Sequence, residues 1–229
     1  MTKILKIFRQ ALLGTLEWLL LFLIFFCFAL RSSTVQTFLA QKATDFLSKE
    51  LNTRVSIGKL DIVFIDRVDL KDFLLMNQDQ SDTIANVGSL LVNINGFSNF
   101  KNQLKVDGIT LERGVVKIEK DTTGVMKLKF VLDYFKSDKK KKKKEALPIF
   151  VDDLQLKDIR FHYNNFKSPT VQLGMDYQHL LLSNVNLDAR KISMIDGAIV
   201  ANVRHLSANE KCGFVLDHFQ GKINLSNKG

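Results

Sequence analysis

In VDLKDFLL, Val68 to Leu75, apolar residues alternate with polar ones at Val68 and Leu70, then resume one position late at Phe73 and Leu75. Strict alternation marks a strand with one buried face. A slip of one residue would turn every later apolar side chain to the wrong face. Asp72 stands at the slip, and Asp, Asn and Gly are the types that tolerate a left-handed backbone, which lets a strand absorb an extra residue as a bulge or sharp bend. The pattern returns as Leu104, Val106, Gly108, Ile109, Leu111, then as Leu154, Leu156, Asp158, Ile159, Phe161, and again as Leu180, Leu182, Asn184, Val185, Leu187. The copies are not evenly spaced, so this is no fixed-period solenoid. The expected fold is mainly β, a curled antiparallel sheet with one continuous apolar face. Its candidate lining is Val68, Leu70, Phe73, Leu75, Leu104, Val106, Ile109, Leu111, Leu154, Leu156, Ile159, Phe161, Leu180 and Leu182.

The same period of two surrounds this segment. Val55 and Ile57, then Leu60, Ile62 and Phe64, then Leu90, Val92 and Ile94 alternate with polar residues. Asn77 to Asp82 reads as a polar turn, Asn95-Gly96 and Asp107-Gly108 as punctuators, and Asp121 to Gly124 as a hairpin loop between Ile118 and Met126. In KFVLDYF, the positions of Phe130, Val131, Tyr134 and Phe135 predict a short amphipathic helical turn.

Upstream the period lengthens. Val35, Phe38, Leu39, Ala43, Phe46, Leu47 and Leu51 have the three-to-four spacing of a one-sided helix over Thr34 to Leu51. Ser33 with Gln36 makes a capping-box signal, and Asn52 is a stop. Such a helix either packs on the sheet or lies at a membrane surface; its few polar-face lysines favour packing.

Before it, ALLGTLEWLLLFLIFFCFAL, Ala11 to Leu30, is long and apolar enough for a transmembrane anchor. Glu17 sits near its start beside Trp18, where a charge costs less than at mid-depth. Lys3, Lys6 and Arg9 precede the anchor and Arg31 follows it alone, a bias that retains the N-terminus in the cytoplasm and exports the rest. A cleaved signal peptide is the competing reading, with Cys27-Phe28-Ala29 as a loose cleavage site. The expected division is therefore 1–31 for cytoplasmic N-terminus and anchor, 32–52 for the amphipathic helix, and 53–229 for an exported β-rich segment.

The 229 residues leave roughly 200 beyond the anchor, enough for a sizeable core in one or two domains. Much of the formal net charge of +9 comes from the run Lys139 to Lys144. That run repels itself and reads as a disordered, solvated loop over 137–146. The functional alternative is contact with anionic head groups, worth about 1 kcal/mol per Lys. Nucleic acid is disfavoured, because the run has no interleaved aromatics and faces away from the cytoplasm. Cys27 lies in the anchor and Cys212 near the C-terminus, so no intrachain disulfide is expected. His162, His179, His205 and His218 lack metal-ligand spacing, and there is no HExxH, CxxC, GxSxG or phosphate-cradling loop. No catalytic, metal or cofactor site is expected, and no enzyme.

The charged N-terminus and single anchor, followed by VQTFLAQKATDFLSKELNTRVSIGKLDIVFIDRVDLKDFLLMNQDQSDTIANVGSLLVNIN, resemble the N-terminal part of the AsmA-like proteins, most of all the TamB branch. The carriers are the anchor, the helix, the Val-x-Ile-Gly entry at Val55 to Gly58, the apolar-x-Leu-x-Asp strand at Val68 to Asp72 and the strand Leu90 to Ile94. About residues 1 to 120 carry the likeness; beyond them only the strand repeat does. The resemblance implies an inner-membrane, single-pass protein with a periplasmic apolar groove, associated with phospholipid passage between inner and outer membranes. It also implies support for outer-membrane assembly or protein secretion, with an outer-membrane assembly protein as a partner. The chain is short for this pattern, and its strand pattern still runs at Asn224 to Gly229, as in a fragment of a longer protein. The residues alone leave two alternatives: the apolar face is an open groove, or it is a filled core belonging to a scaffold that docks a protein partner.

Overall fold

A computed structural model describes residues 2–30, 32–64, 67–93, 104–136, 149–195 and 198–225. Two helices, α1 (Thr2–Leu30) and α2 (Ser33–Leu51), precede strands β1 (Val55–Ser56), β2 (Lys59–Phe64), β3 (Arg67–Met76), β4 (Thr83–Asn93) and β5 (Leu104–Lys120). A short helix, α3 (Lys129–Lys136), comes before β6 (Ile149–Asn165), β7 (His179–Ile195), β8 (Ala198–Glu210) and β9 (Val215–Leu225). The Lys139–Lys144 run, Asn95-Gly96 and the chain after Leu225 lie outside the described residues.

The strands form one open sheet in the order β1-β3-β4-β5-β6-β7-β8-β9, with β2 also paired to β3. The chain is mainly β, as expected, but the expected curl is absent: the sheet is open and uncurled. Nor is it wholly antiparallel. β5 and β6 run parallel from Leu104↔Ile149 to Lys120↔Asn165. The reason is the connection: a parallel pair needs a crossover of a dozen or more residues, and the segment from Asp121 to Pro148, with α3 inside it, returns the chain to the start of β5.

Local chemistry sets most boundaries. Asn52 ends α2 in the left-handed conformation (φ 49), and its N–H donates to Ser48 O. The turn between β3 and β4 is closed by Asn77 N–H donating to Asp82 O at 3.0 Å. The predicted loop at Asp121 is held by its carboxylate, which accepts from Thr123 N–H and Val125 N–H, and Lys120 bridges Met126 beyond it. Two expectations move. Ser32, not Ser33, precedes α2, and its side chain makes no capping bond; Gln36 is buried instead of reaching back. Asp107-Gly108 is no turn, because Gly108 sits in mid-ladder opposite Asn93 and Asp153.

Helix α2 packs through Ala40, with Leu39, Ala43 and Leu47, on Ile57 and Leu60. Its far end, Leu51, joins Val55, Leu75 and Ile84 under Phe130, Val131 and Tyr134 of α3. The predicted apolar stripe is divided: Phe38 and Phe46 are 55% and 56% exposed. In α1, Leu13–Leu30 is long and apolar enough to cross a membrane by composition, with mean hydropathy 2.3 and none of it buried.

Candidate functional site

The slips in alternation are where the site is made. Asp72, Asp158 and Asn184, all expected to take up the extra residue, have φ of 50, 53 and 50. The slip expected at Gly108 lies further along β5, at Arg113, with φ 51. Asp72, Arg113 and Asp158 fall in one row across β3 to β6, while Asn184 lies one step past that row on β7, opposite Arg160. In the next row, Phe73 faces Val87, Val87 faces Gly114, Gly114 faces Ile159, and Ile159 faces Val185.

The slips keep the apolar side chains on one face. Leu70 and Phe73 both pack around Ala40, Ile57 and Leu60 though they are an odd number of residues apart, and Val68 joins them. Leu111 and Val116 on β5, Leu156, Ile159 and Phe161 on β6, and Leu182 and Val185 on β7 gather with Val87 and Ala208 in a second cluster. Backbone groups displaced by the slips find partners: Asp158 N–H donates to Asn186 Oδ1 at 3.1 Å, and Asn186 Nδ2 donates to Asn184 O at 3.0 Å.

Of the remaining candidates, Leu75 is buried under α2 and α3, while Ile109 and Leu154 are half-buried neighbours across the parallel pair. Leu180 is half-buried opposite Tyr163. Val106 is different. With no slip at Gly108, the regular register places Val106 out of phase with Ile109 and Leu111, although it is 9% exposed. The side chain of Leu104 lies outside the described residues.

The opposite face is polar. Lys71 Nζ pairs with Asp69 at 2.6 Å and Ser89 Oγ donates to Asp69 at 2.7 Å. Lys157 meets Glu112 at 2.8 Å, and Arg204 Nε donates to Asp188 at 2.9 Å. Such exposed pairs stabilise by about 1 kcal/mol or less each. What they establish is sidedness: one face suits water, and the other does not.

What covers the apolar face changes across the sheet. Helices α2 and α3 lie over its β1–β4 end. Around Ile159 and Val185, among the described residues, the packed side chains all come from strands. Ile159 is fully buried, but by flanking side chains of the sheet, and Leu111, Leu156, Phe161 and Leu182 remain half-buried. The outer edge, β9, exposes Val215 and Phe219 by 55% and 37%, and Phe214 just before it by 49%.

Polar chemistry is sparse by comparison. His205 Nδ1 and His218 Nδ1 lie 2.8 Å apart across β8 and β9. Spacing along the chain could not show this pair, because strand register creates it. Among the described residues, no group of three or more His, Cys, Asp or Glu side chains is placed to hold a metal ion. A pocket of about 10 Å³ beside Asp82, Lys117, Glu119 and Lys127 has room for no more than a water. Neither a family model nor a curated protein matches the chain.

Proposed function

We propose that this chain is an inner-membrane-anchored protein of the AsmA-like, TamB-type class, with a cytoplasmic N-terminus and its bulk in the periplasm. Its apolar sheet face acts as the floor of a groove that takes phospholipid acyl chains on their way between the inner and outer membranes, in support of outer-membrane assembly or protein secretion. The chain works by sheltering apolar cargo, not by catalysis, and needs no cofactor.

One observation carries this reading: the apolar face continues past the helices into the zone of Leu111, Leu156, Phe161 and Leu182, where strands alone contribute to the packing among the described residues. Each methylene withdrawn from water onto such a face contributes about 0.8 kcal/mol. A few methylenes suffice to hold a chain, and no single contact is strong enough to trap it. The spanning-competent α1 brings that face to where acyl chains are available. A second reading, a scaffold that docks an outer-membrane assembly protein, is favoured by the exposed apolar edge of β9, since an unpaired edge is a template for an added strand.

Photo-crosslinking residues placed at Leu111, Leu156 and Leu182, one at a time, separate the two in native membranes. Adducts with phospholipid mass at these positions, absent at Lys71 and Lys157 on the polar face, are expected. Adducts with protein alone would favour the scaffold and overturn lipid handling by this segment.

A further inference from the structure

Phe38 and Phe46 lie on the side of α2 that looks away from the sheet, each more than half exposed. At 100° per residue, they form one stripe with Lys42 and Lys49, opposite Gln36, Ala40, Leu47 and Leu51. Lys42 Nζ sits 5.6 Å from the centre of the Phe38 ring. Two aromatic rings interleaved with lysines, which keep their charge in water while their stems lie on apolar surface, suit the zone between head groups and acyl chains.

The link to α1 says what covers this stripe. α1 ends at Leu30 and α2 starts at Ser33; Ser32 between them is extended (ψ 131) and its N–H donates to Ala29 O at 3.0 Å. The spanning-competent stretch of α1 reaches Leu30. Phe38 therefore lies only about 8 Å along α2 from its start, within reach of the head groups at any tilt. Phe46 lies about 20 Å along and reaches them only if α2 runs along the surface.

We infer that α2 lies flat on the bilayer, with Phe38 and Phe46 inserted at the head-group boundary and Lys42 and Lys49 among the phosphates. The inference rests on the anchored reading and adds an orientation to it. α2 packs on the apolar face of the sheet through Ala40, so this placement turns that face toward the membrane at a distance of about one helix diameter, ~10 Å. The uncovered zone around Leu156 and Leu182 then faces the lipid instead of the periplasm.

Trp18 is the chain's one tryptophan, so its fluorescence tests both layers of the argument. The full chain is reconstituted in phosphatidylcholine–phosphatidylglycerol vesicles containing lipids brominated at shallow or deep acyl positions. Wild-type protein reports Trp18, which is expected to be quenched by brominated lipid. The variants W18F/F38W and W18F/F46W are expected to be quenched most by shallow bromines and shielded from aqueous acrylamide. If Trp18 is quenched while the reporter at position 46 answers only to acrylamide, the anchor stands and the flat helix is overturned. If Trp18 is indifferent to brominated lipid, both fall together.

Discussion

At Gly114 the chain has no room for a side chain. A Cβ there would lie 2.2 Å from Asn86 O and 2.6 Å from the Val87 Cα, both backbone atoms that cannot swing aside. Gly114→Ala is expected to cost about 3 kcal/mol, the upper part of the range for overpacking. Gly88→Ala, whose nearest contact would be 3.4 Å, should cost far less. Urea midpoints for the two variants check the contrast, and equal values would contradict the close approach. The neighbouring Arg113 has φ 51 without being glycine, so Arg113→Gly should be neutral or stabilising, while Arg113→Val, whose branched Cβ crowds the left-handed backbone further, should be destabilising. A further residue-scale effect depends on pH. His162 is held below its ordinary value first by burial and then by Lys117 and Arg160, with Glu119 and Asp82 pulling the other way; Lys117 is its partner across β5 and β6. The unfolded chain then binds the proton more readily, so stability is full above about pH 6.5 and falls as the pH drops from there through the depressed folded value. His162→Gln should flatten that acid limb in urea titrations between pH 7.5 and 5. An unchanged slope would mean that the histidine titrates alike in both states.

Element by element, the sequence was readable where one residue type carries a backbone preference. Asp72, Asp158 and Asn184 took the left-handed conformation their types permit. Arg113 could not be found that way, because nothing in an arginine signals αL; only the register with β4 and β6 aligns it with the other slips. Gly108 misled for the opposite reason: a type that permits a turn does not require one, and here the ladder runs straight through it. The parallel β5–β6 pairing was hidden in the same way, since strand direction depends on the path of a long connection and not on alternation. Helix α2 was legible in extent but not in orientation. Phe38 and Phe46 fit the apolar spacing, yet the small Ala40, 2% exposed, makes the close contact with Ile57 and Leu60. This gives an element-scale prediction. Ala40→Asp buries an unpaired carboxylate and should release α2, at a cost of several kcal/mol, exposing residues 32–53 to limited proteolysis. Phe38→Ser should leave the proteolytic pattern unchanged. Equal protection in both variants would show that α2 is not held by this face.

In the whole molecule a spanning-competent helix is joined to a two-faced sheet. The proposed reading takes its direction, N-terminus in the cytoplasm, from the Lys3, Lys6 and Arg9 asymmetry. A periplasm-dependent reporter fused after Gly58 should be active, and the N-terminal methionine region should remain on the mature chain. A silent reporter, or a mature N-terminus near Leu30, would remove the anchor and with it the supply of lipid to the sheet. On the proposed reading acyl chains lie on the apolar face of β5–β7, and wild-type protein tests this from the lipid's side. Phospholipid carrying a diazirine near the end of one acyl chain is photolysed in membranes containing the full chain, and the labelled residues are mapped by peptide mass spectrometry. Label is expected in β6 and β7, at or beside Leu156, Phe161 and Leu182, in addition to Leu13–Leu30. Label confined to Leu13–Leu30 and α2, with the strands unmarked, would contradict it.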